Sequence, residues 1–452
     1  MERERQGSNR ERPTPDAAQL ARAVASRLRA AGYQAYLVGG SVRDLLLGVT
    51  PTDFDISTDA RPEGLIDLFP GSGAVGAHFG VVLVREGAVQ VEVATFRSDR
   101  EYDDGRRPTS VEFETDPRAD VLRRDFTING LMMDPTTGAV LDFVGGRRDL
   151  EARTVRAIGD PEARFAEDHL RLLRAVRFAA RLGFQIETET WAAMVRRHES
   201  IMKVAPERVR DELERILTEG GARRGFELLD ASGMLSVLLP EVAAMKGVAQ
   251  PPEFHPEGDV WTHTLLLLEN LKGASPTLAW GALLHDVGKP PTFRMADRIR
   301  FDGHAEEGAR LARGILARLR ASRDETEQVE ALVANHMRFL NVGRMKESTL
   351  KRFLRQPNFD DHLELHRLDC LAGSGHLEGW EFCRRRLAEL GEEQLKPKRL
   401  VSGADLIAAG YIAGPQFAKI LDAVEDAQLE GSVATAEEAL EWVRKRYRPE
   451  GR

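Results

Sequence analysis

LVGGSVRDLLLG (37–48), followed at once by DFDIS (53–57), decides how this chain folds. The apolar run ending at Val38 reads as a strand, and Gly39-Gly40-Ser41 as a tight turn opening a helix. Such a turn frees backbone N–H groups beside the positive end of a helix. It can therefore cradle a triphosphate, with Arg43 adding a fixed cation. A Gly-Gly turn alone is commonplace; Asp53-Phe54-Asp55 gives it meaning. On a strand alternate side chains share a face, so the carboxylates project together while Phe54 enters the core. Carboxylates that close repel unless a divalent cation separates them. Phosphoryl transfer uses that arrangement, with Mg²⁺ ions activating the attacking hydroxyl and neutralising the leaving pyrophosphate. VVLVR (81–85) and VQVEVATF (89–96), joined by Glu86-Gly87-Ala88, read as an antiparallel hairpin, and Glu92 on its second strand is a candidate third carboxylate.

Outward from there, residues 34–142 mix short apolar runs with turn residues, as an α/β or α+β module does. Beyond about residue 160 the apolar spacing becomes helical with few strand signals, so the expected class is α+β: a small mixed or antiparallel sheet with helices, then an all-helical remainder. The expected division is a disordered leader (1–17), a head (18–160), a helical neck (161–225), a helical body (226–390) and a helical tail (391–452). A chain of 452 residues with 42% hydrophobic and 30% charged residues and no long apolar run reads as soluble, with no membrane role. The charged N-terminus lacks a secretory apolar stretch, which suggests a cytoplasmic protein. Cys370 and Cys383 are the only cysteines, which excludes a disulfide framework and a cysteine-rich zinc site. A net charge of −8 argues against coating nucleic acid by bulk positive charge. Local basic runs remain: residues 338–355 carry six cations against one carboxylate, and KPKR stands at 396–399.

These motifs resemble the head of class II CCA-adding enzymes and bacterial poly(A) polymerases, members of the polymerase-β-like nucleotidyltransferase superfamily. LRRDFTINGL (122–131), LDFVGGRRDL (141–150) and GDPEARFAEDHLRLLRAVRFAARLGF (159–184) come in the same order. The resemblance implies transfer of CMP and AMP from CTP and ATP to a tRNA 3′ end, with Mg²⁺ at Asp53 and Asp55. It also implies that Arg124 and Asp125 contact the nucleotide's phosphate and ribose. Glu167 to Arg171 lies in a strongly helical segment, so Asp168 and Arg171 share a face. A carboxylate beside a guanidinium satisfies the donor–acceptor edge of cytosine or adenine and mismatches uracil and guanine. On residue pattern alone an ordinary surface ion pair is the better reading of D-x-x-R on a helix; the resemblance implies that the pair reads the base and that Arg174 and Arg177 face the triphosphate. TFRSDREYDDGRRP (95–108) reads as a mobile polar loop, of the kind associated in this family with adding the terminal A.

His263 in VWTHTLLLL, His285-Asp286 in LLHDVGKP and Asp369 in HRLDCLAG keep the order of the HD metal-dependent phosphohydrolases. His304 and His336 match the extra histidines of some members and would complete a site for two divalent ions. The C-terminal segment 401–443, which begins VSGADLIAAGYIAGPQ, resembles the tail of such enzymes. With the basic 338–355 run it is the expected surface for the RNA acceptor arm. Enzymes adding only A or only CC share these motifs. A poly(A) polymerase ranks lower, because HFGVVLV (78–84) is not basic. An HD phosphohydrolase with a regulatory nucleotide-binding head and a pure RNA scaffold are the alternatives from other classes. Retention of Asp53, Asp55, Arg124, Asp168 and Arg171 argues against the first, and the carboxylate pair against the second.

Overall fold

The computed structural model describes residues 16–73, 80–102, 108–253 and 255–448. His78 and Phe79, part of the run used against a poly(A) polymerase, lie outside them. Helix α1 (Ala17–Ala30) starts at a reciprocal cap between Asp16 and Gln19, and its Leu20, Ala21, Val24, Ala25 and Leu28 are buried at helical spacing. The last residues of the expected leader thus belong to this cap and first turn.

The head sheet contains β1 (Ala35–Val38), β2 (Asp55–Thr58), β3 (Val81–Glu86), β4 (Val89–Thr95), then, beyond an intervening ribbon of β5 (Arg97–Tyr102) and β6 (Pro108–Phe113), β7 (Leu131–Met133) and β8 (Val140–Asp142). Its order is β3-β4-β2-β1-β7-β8. The β3–β4 hairpin is antiparallel, as its Gly87 turn predicts, whereas β2 and β4 run parallel with Asp55 directly opposite Glu92. Between β1 and helix α2 (Gly40–Leu46), Gly39 adopts φ 69° and ψ −134°, a conformation that disfavours any side chain. The polar segment read as a mobile loop instead enters the β5–β6 ribbon, antiparallel and separate from the main sheet. Its hydrogen-bond ladder satisfies backbone groups that polar composition alone left unassigned; residues 103–107 lie outside the described set.

Two further expectations change. The helix expected through Asp168 is broken: one helix spans Pro161–Glu167, Asp168 is extended at φ −141° and ψ 106°, and a second spans Arg171–Leu182. The largely helical region also carries strand: Gln185–Ile186 pairs in parallel with Thr154–Val155 of the head, and Arg294–Met295 pairs with Ile299–Arg300.

The described residues fall into two compact units, divided at 216/217 and 238/239 with 217–223 in the second and 224–238 in the first, so the boundary cuts through the expected neck (161–225) and body (226–390). In the first, Val38, Phe96, Val121 and Met132 form a buried cluster. In the second, Phe339, Phe353 and Phe359 centre one cluster, and Leu406, Tyr411, Ile420, Val424 and Val443 give the tail its own. The C-terminal half of the basic 338–355 run is engaged by the tail. Arg352 pairs with Asp426 at 2.9 Å and with Glu425 at 3.1 Å, Arg355 also pairs with Glu425, and Lys351 caps the Leu429 carbonyl. These cations bind the tail, because an ion pair between packed helices offers them carboxylates at contact distance. Among the described residues, no helix is long and apolar enough to cross a membrane.

Phe96 is fully buried, so Phe96→Ala should destabilise the first unit by about 3–5 kcal/mol through lost contacts and a residual cavity. Urea unfolding followed by fluorescence should show one transition shifted and the other unmoved.

Candidate nucleotide site and metal centre

Asp55 opens β2, Phe54 before it is buried, and Asp53 lies just ahead of the strand rather than within it. The expected alternation around Phe54 therefore spans the strand's start. Burial raises the Asp55 carboxyl to about 6, and Glu92 and Asp53 push it the same way against the pull of Arg124. Such a cluster of carboxylates favours a divalent cation, which removes the repulsion that drives Asp55 toward protonation. The donors are hard oxygens that suit Mg²⁺ in type. The three do not draw ligand atoms into a preformed cage, since every set of three metal-ligand atoms within 4.8 Å among the described residues lies in the second unit.

Beside Asp55 opens a cavity of about 450 Å³, lined by Gly39, Gly40, Asn129, Leu170, Phe178, eight arginines (Arg43, Arg123, Arg124, Arg171, Arg174, Arg177, Arg181 and Arg208) and three carboxylates (Asp55, Asp125 and Asp168). A chain of net negative charge thus concentrates positive charge where a polyphosphate would sit. Gly39 also serves here: a Cβ would stand 3.2 Å from the Arg124 guanidinium. Arg124 donates to Asp120 at 2.9 Å, and Asp120 is wholly buried. Burial would raise Asp120, yet Arg124 and Arg123 hold it at about 2. The buried Arg124 Nε has no protein partner, leaving a donor for an anion.

The other cationic residues are fixed in a chain of hydrogen bonds. Arg43 donates to Asp44 and to Asn129 at 2.8 Å, Asn129 donates to Asp125, Arg174 donates to Asp125 at 2.8 Å, and Arg177 donates to the buried Glu212 at 2.7 Å. Arg43, Arg174 and Arg177 lie 5.2, 5.3 and 4.5 Å from the centre of the Phe178 ring. Asp125, expected to touch nucleotide, is buried as the anchor of Arg174. Burial opposes its charge, but Arg174 and Asn129 bring its carboxyl to about 2. Ser41 is also buried, its hydroxyl donating to the Val38 carbonyl at 2.9 Å. It holds the turn and does not point a hydroxyl outward.

The expected base-reading pair is not preformed. With the helix broken, Asp168 accepts from the Leu170 N–H and pairs with Arg208 at 3.0 Å. Arg171 donates to Glu167 at 2.6 Å and to the carbonyls of Arg164 and Arg123. The side chains of Asp168, Arg171 and Arg208 line the same cavity. Arg208 and Glu212, from the helix Pro206–Thr218, were missed in the sequence because PERVRDELERIL reads as an ordinary charged amphipathic helix.

In the second unit, His263 stands in the first turn of the helix Val260–Glu269, His285-Asp286 end the helix Pro276–Leu284, and His304, His336 and Asp369 come from three further segments. All of these are buried except Asp369, which is partly exposed. His263 Nε2 lies 3.0 Å from Asp369 Oδ1 and 4.0 Å from Asp286 Oδ2. His304 Nε2 and His336 Nε2 lie 3.7 and 3.8 Å from Asp286 Oδ1. The ligand sets His263–His285–Asp286 and Asp286–His304–His336 share Asp286. His285 Nε2 and Asp286 Oδ1 are buried without hydrogen-bond partners, which is how ligand atoms sit when a cation completes them. Burial lowers His263, but Asp369 and Glu257 overcome it and raise the imidazole to about 9. Burial takes His336 down to about 4. Gly288 makes this convergence possible, because a Cβ there would fall 2.1 Å from the His304 carbonyl oxygen. Glu257, His255 and Lys289, the last 2.7 Å from Asp286 Oδ2, also belong to the cluster. Glu257 and His255 come from a loop and carry no recognisable motif, so spacing along the chain could not have found them.

A sheet-borne carboxylate cluster beside an arginine-lined cavity, carried in one chain with an HD-type cluster, defines a nucleotidyltransferase with a second, metal-binding class of domain. Residues 35–156 match the poly A polymerase head domain, 183–246 the probable RNA and SrmB-binding site of polymerase A, and 259–410 the HD domain. The chain is 33% identical over 434 residues to a CCA-adding enzyme of Geobacillus thermodenitrificans, covering 95% of this chain and 97% of that one. It is 36% identical over 422 residues to a CC-adding tRNA nucleotidyltransferase of Thermus thermophilus, covering 90% and 92%. A match to a CCA-adding enzyme of Bacillus pumilus, 38% identical over 257 residues, spans 57% of this chain and 60% of that relative. The crystal structure of the Bacillus stearothermophilus CCA-adding enzyme in complex with CTP superposes with a TM-score of 0.73 at 27% identity, over 97% of this chain and 98% of that one. The chain belongs to the family of CCA-adding enzymes, which are tRNA nucleotidyltransferases.

Because Asp125 has a depressed folded pKa, its stabilising contribution is present above the unfolded value near 4 and is lost as pH falls toward 2. Asp125→Asn should remove a contribution on the order of 2 kcal/mol at neutral pH and flatten the acid limb of unfolding between about pH 4 and 2. Denaturant titrations across that range check it.

Proposed function

We propose that this protein builds the CCA end of tRNA, adding CMP from CTP and then AMP from ATP to the 3′ hydroxyl without a nucleic-acid template. The observation that carries the reading is the β2–β4 register, which sets Asp55 opposite Glu92 at the edge of a cavity that also holds Arg124, Asp168, Arg171 and Arg208. The relatives named CCA-adding enzymes across nearly the full chain support it.

In this reading Asp53, Asp55 and Glu92 hold Mg²⁺, which when bound supplies Lewis-acid neutralisation at the attacking hydroxyl and the leaving pyrophosphate. The Gly39-Gly40-Ser41 turn and Arg43 set the shape of the phosphate cradle. Arg124, Arg174 and Arg177 bind the triphosphate, each oriented in advance by Asp120, Asp125 or Glu212, so little side-chain entropy is lost on binding. The base is read by Asp168 with Arg171. Pairing with N4 and N3 of cytosine, or N6 and N1 of adenine, satisfies both groups; uracil or guanine leaves them unpaired at roughly 1–3 kcal/mol each. Because Asp168 is engaged by Arg208 in the free protein, a base must take over or share that contact. The head (18–160) does the chemistry, the neck (161–225) reads the base, the body (226–390) carries an HD phosphohydrolase site and the tail (391–452) contacts RNA.

A CC-adding enzyme is the second reading, favoured by the identity to the Thermus thermophilus protein. Offering tRNA ending before CCA, after C and after CC, with CTP, ATP or both, separates the two. CCA addition predicts one A on the CC-ending tRNA; no extension there leaves the CC-adding reading, and a long A tract points to poly(A) synthesis. Asp55→Ala should lower incorporation about a thousandfold, the worth of several kcal/mol of charge stabilisation, while tRNA binding persists. Asp286→Ala should abolish hydrolysis of bis(p-nitrophenyl) phosphate and leave incorporation intact; loss of both would contradict independent sites.

A further inference from the structure

His263, His285, His304 and His336 of the second centre are oriented in two different ways. His285, His304 and His336 each place Nδ1 at 2.9, 2.9 and 2.7 Å from the carbonyl oxygen three residues earlier, of Ala282, Phe301 and Val333. In each, Nδ1–H donates to backbone and Nε2 is turned to the centre. His263 has no such carbonyl: the one three residues before it, Val260, accepts the Thr264 hydroxyl at 2.9 Å. Its Nδ1 instead lies 2.6 Å from Glu257 Oε1, and that carboxylate is nearly buried. A carboxylate cannot donate, so the imidazole donates at Nδ1 to Glu257; Nε2, 3.0 Å from Asp369 Oδ1 and 4.0 Å from Asp286 Oδ2, faces the centre and donates to Asp369 unless a cation takes the place of its proton. The loop carrying Glu257 is itself held. Asp259 caps the His263 helix and accepts from the Gly247 N–H, and His255 Nδ1 stands 2.9 Å from the same Glu257 oxygen.

We infer that Glu257 is the positioning residue that fixes the ring orientation and tautomer of His263 and thereby sets the affinity of this centre for a divalent cation. The inference rests on the metal-binding reading of the centre. Outer carboxylates of this kind change metal affinity by roughly 10–100-fold when removed, because they hold the ring in place and raise its basicity.

Co²⁺ alone is the probe, titrated into the full-length chain by equilibrium dialysis, with its visible absorption reporting coordination. Glu257→Ala should weaken Co²⁺ binding by roughly 10–100-fold and alter the spectrum. Glu257→Gln, isosteric and still offering an acceptor to Nδ1–H, should recover part of both. Nucleotide incorporation should be unchanged in both variants. Wild-type affinity and spectrum in Glu257→Ala, with Asp286→Ala unable to bind, would overturn the positioning role alone. Equal binding by wild type and Asp286→Ala would instead overturn the metal centre and the inference with it.

Discussion

Carboxylates on neighbouring strands repel, and the parallel ladder between β2 and β4 fixes the backbone positions of Asp55 and Glu92 directly opposite one another. Burial first, and then the charges of Glu92 and Asp53, move the Asp55 carboxyl toward protonation against the pull of Arg124, an unfavourable placement of charge. It is sustained because the surrounding sheet is anchored by apolar packing: Phe54, Ile56 and Val93 are buried beside the acids. A divalent cation beside such carboxylates would relieve their mutual repulsion.

The arginines answer that constraint from the other side. Their positive charges would repel one another in the cavity were they not tied to Asp120, Asp125 and Glu212, all buried. Each of these acids is expensive to bury alone and tolerable when paired. The pairing turns flexible guanidinium groups into fixed donors, and Phe178 gives three of them a common face. Binding and stability are therefore coupled: the acids that hold the fold also aim the cations. Asp168 is the exception, held by Arg208 rather than by a buried structural partner, so the base-reading element is the part of the site with an alternative contact to exchange.

The second centre obeys a different rule. Its ligands come from five segments and need close helix approach, allowed at Gly288, and rings whose Nδ1–H is already engaged. Three rings find backbone and the fourth depends on a loop carboxylate. Ligand identity could be read along the chain, whereas ring orientation required the surroundings.

Much was legible in the sequence because it rested on local rules. Alternation placed Phe54 in the core with acids on either side, Gly87 marked the hairpin, the Gly39-Gly40 turn opened a helix, and His285-Asp286 after an apolar run marked the second cluster. What depended on partners far along the chain was not. The break at Asp168 escapes helical periodicity, since its extended geometry is stabilised by Arg208 forty residues later. Arg352 and Arg355 look free until Glu425 and Asp426 meet them. Ser41, Asp125 and Glu257 have roles fixed by burial and by which neighbour accepts or donates. The sequence by itself determined which chemical groups are present and which local element carries each. Tertiary structure decided which charges pair, because a guanidinium or carboxylate takes whichever partner lies within contact distance, and that distance is set by packing rather than by spacing along the chain.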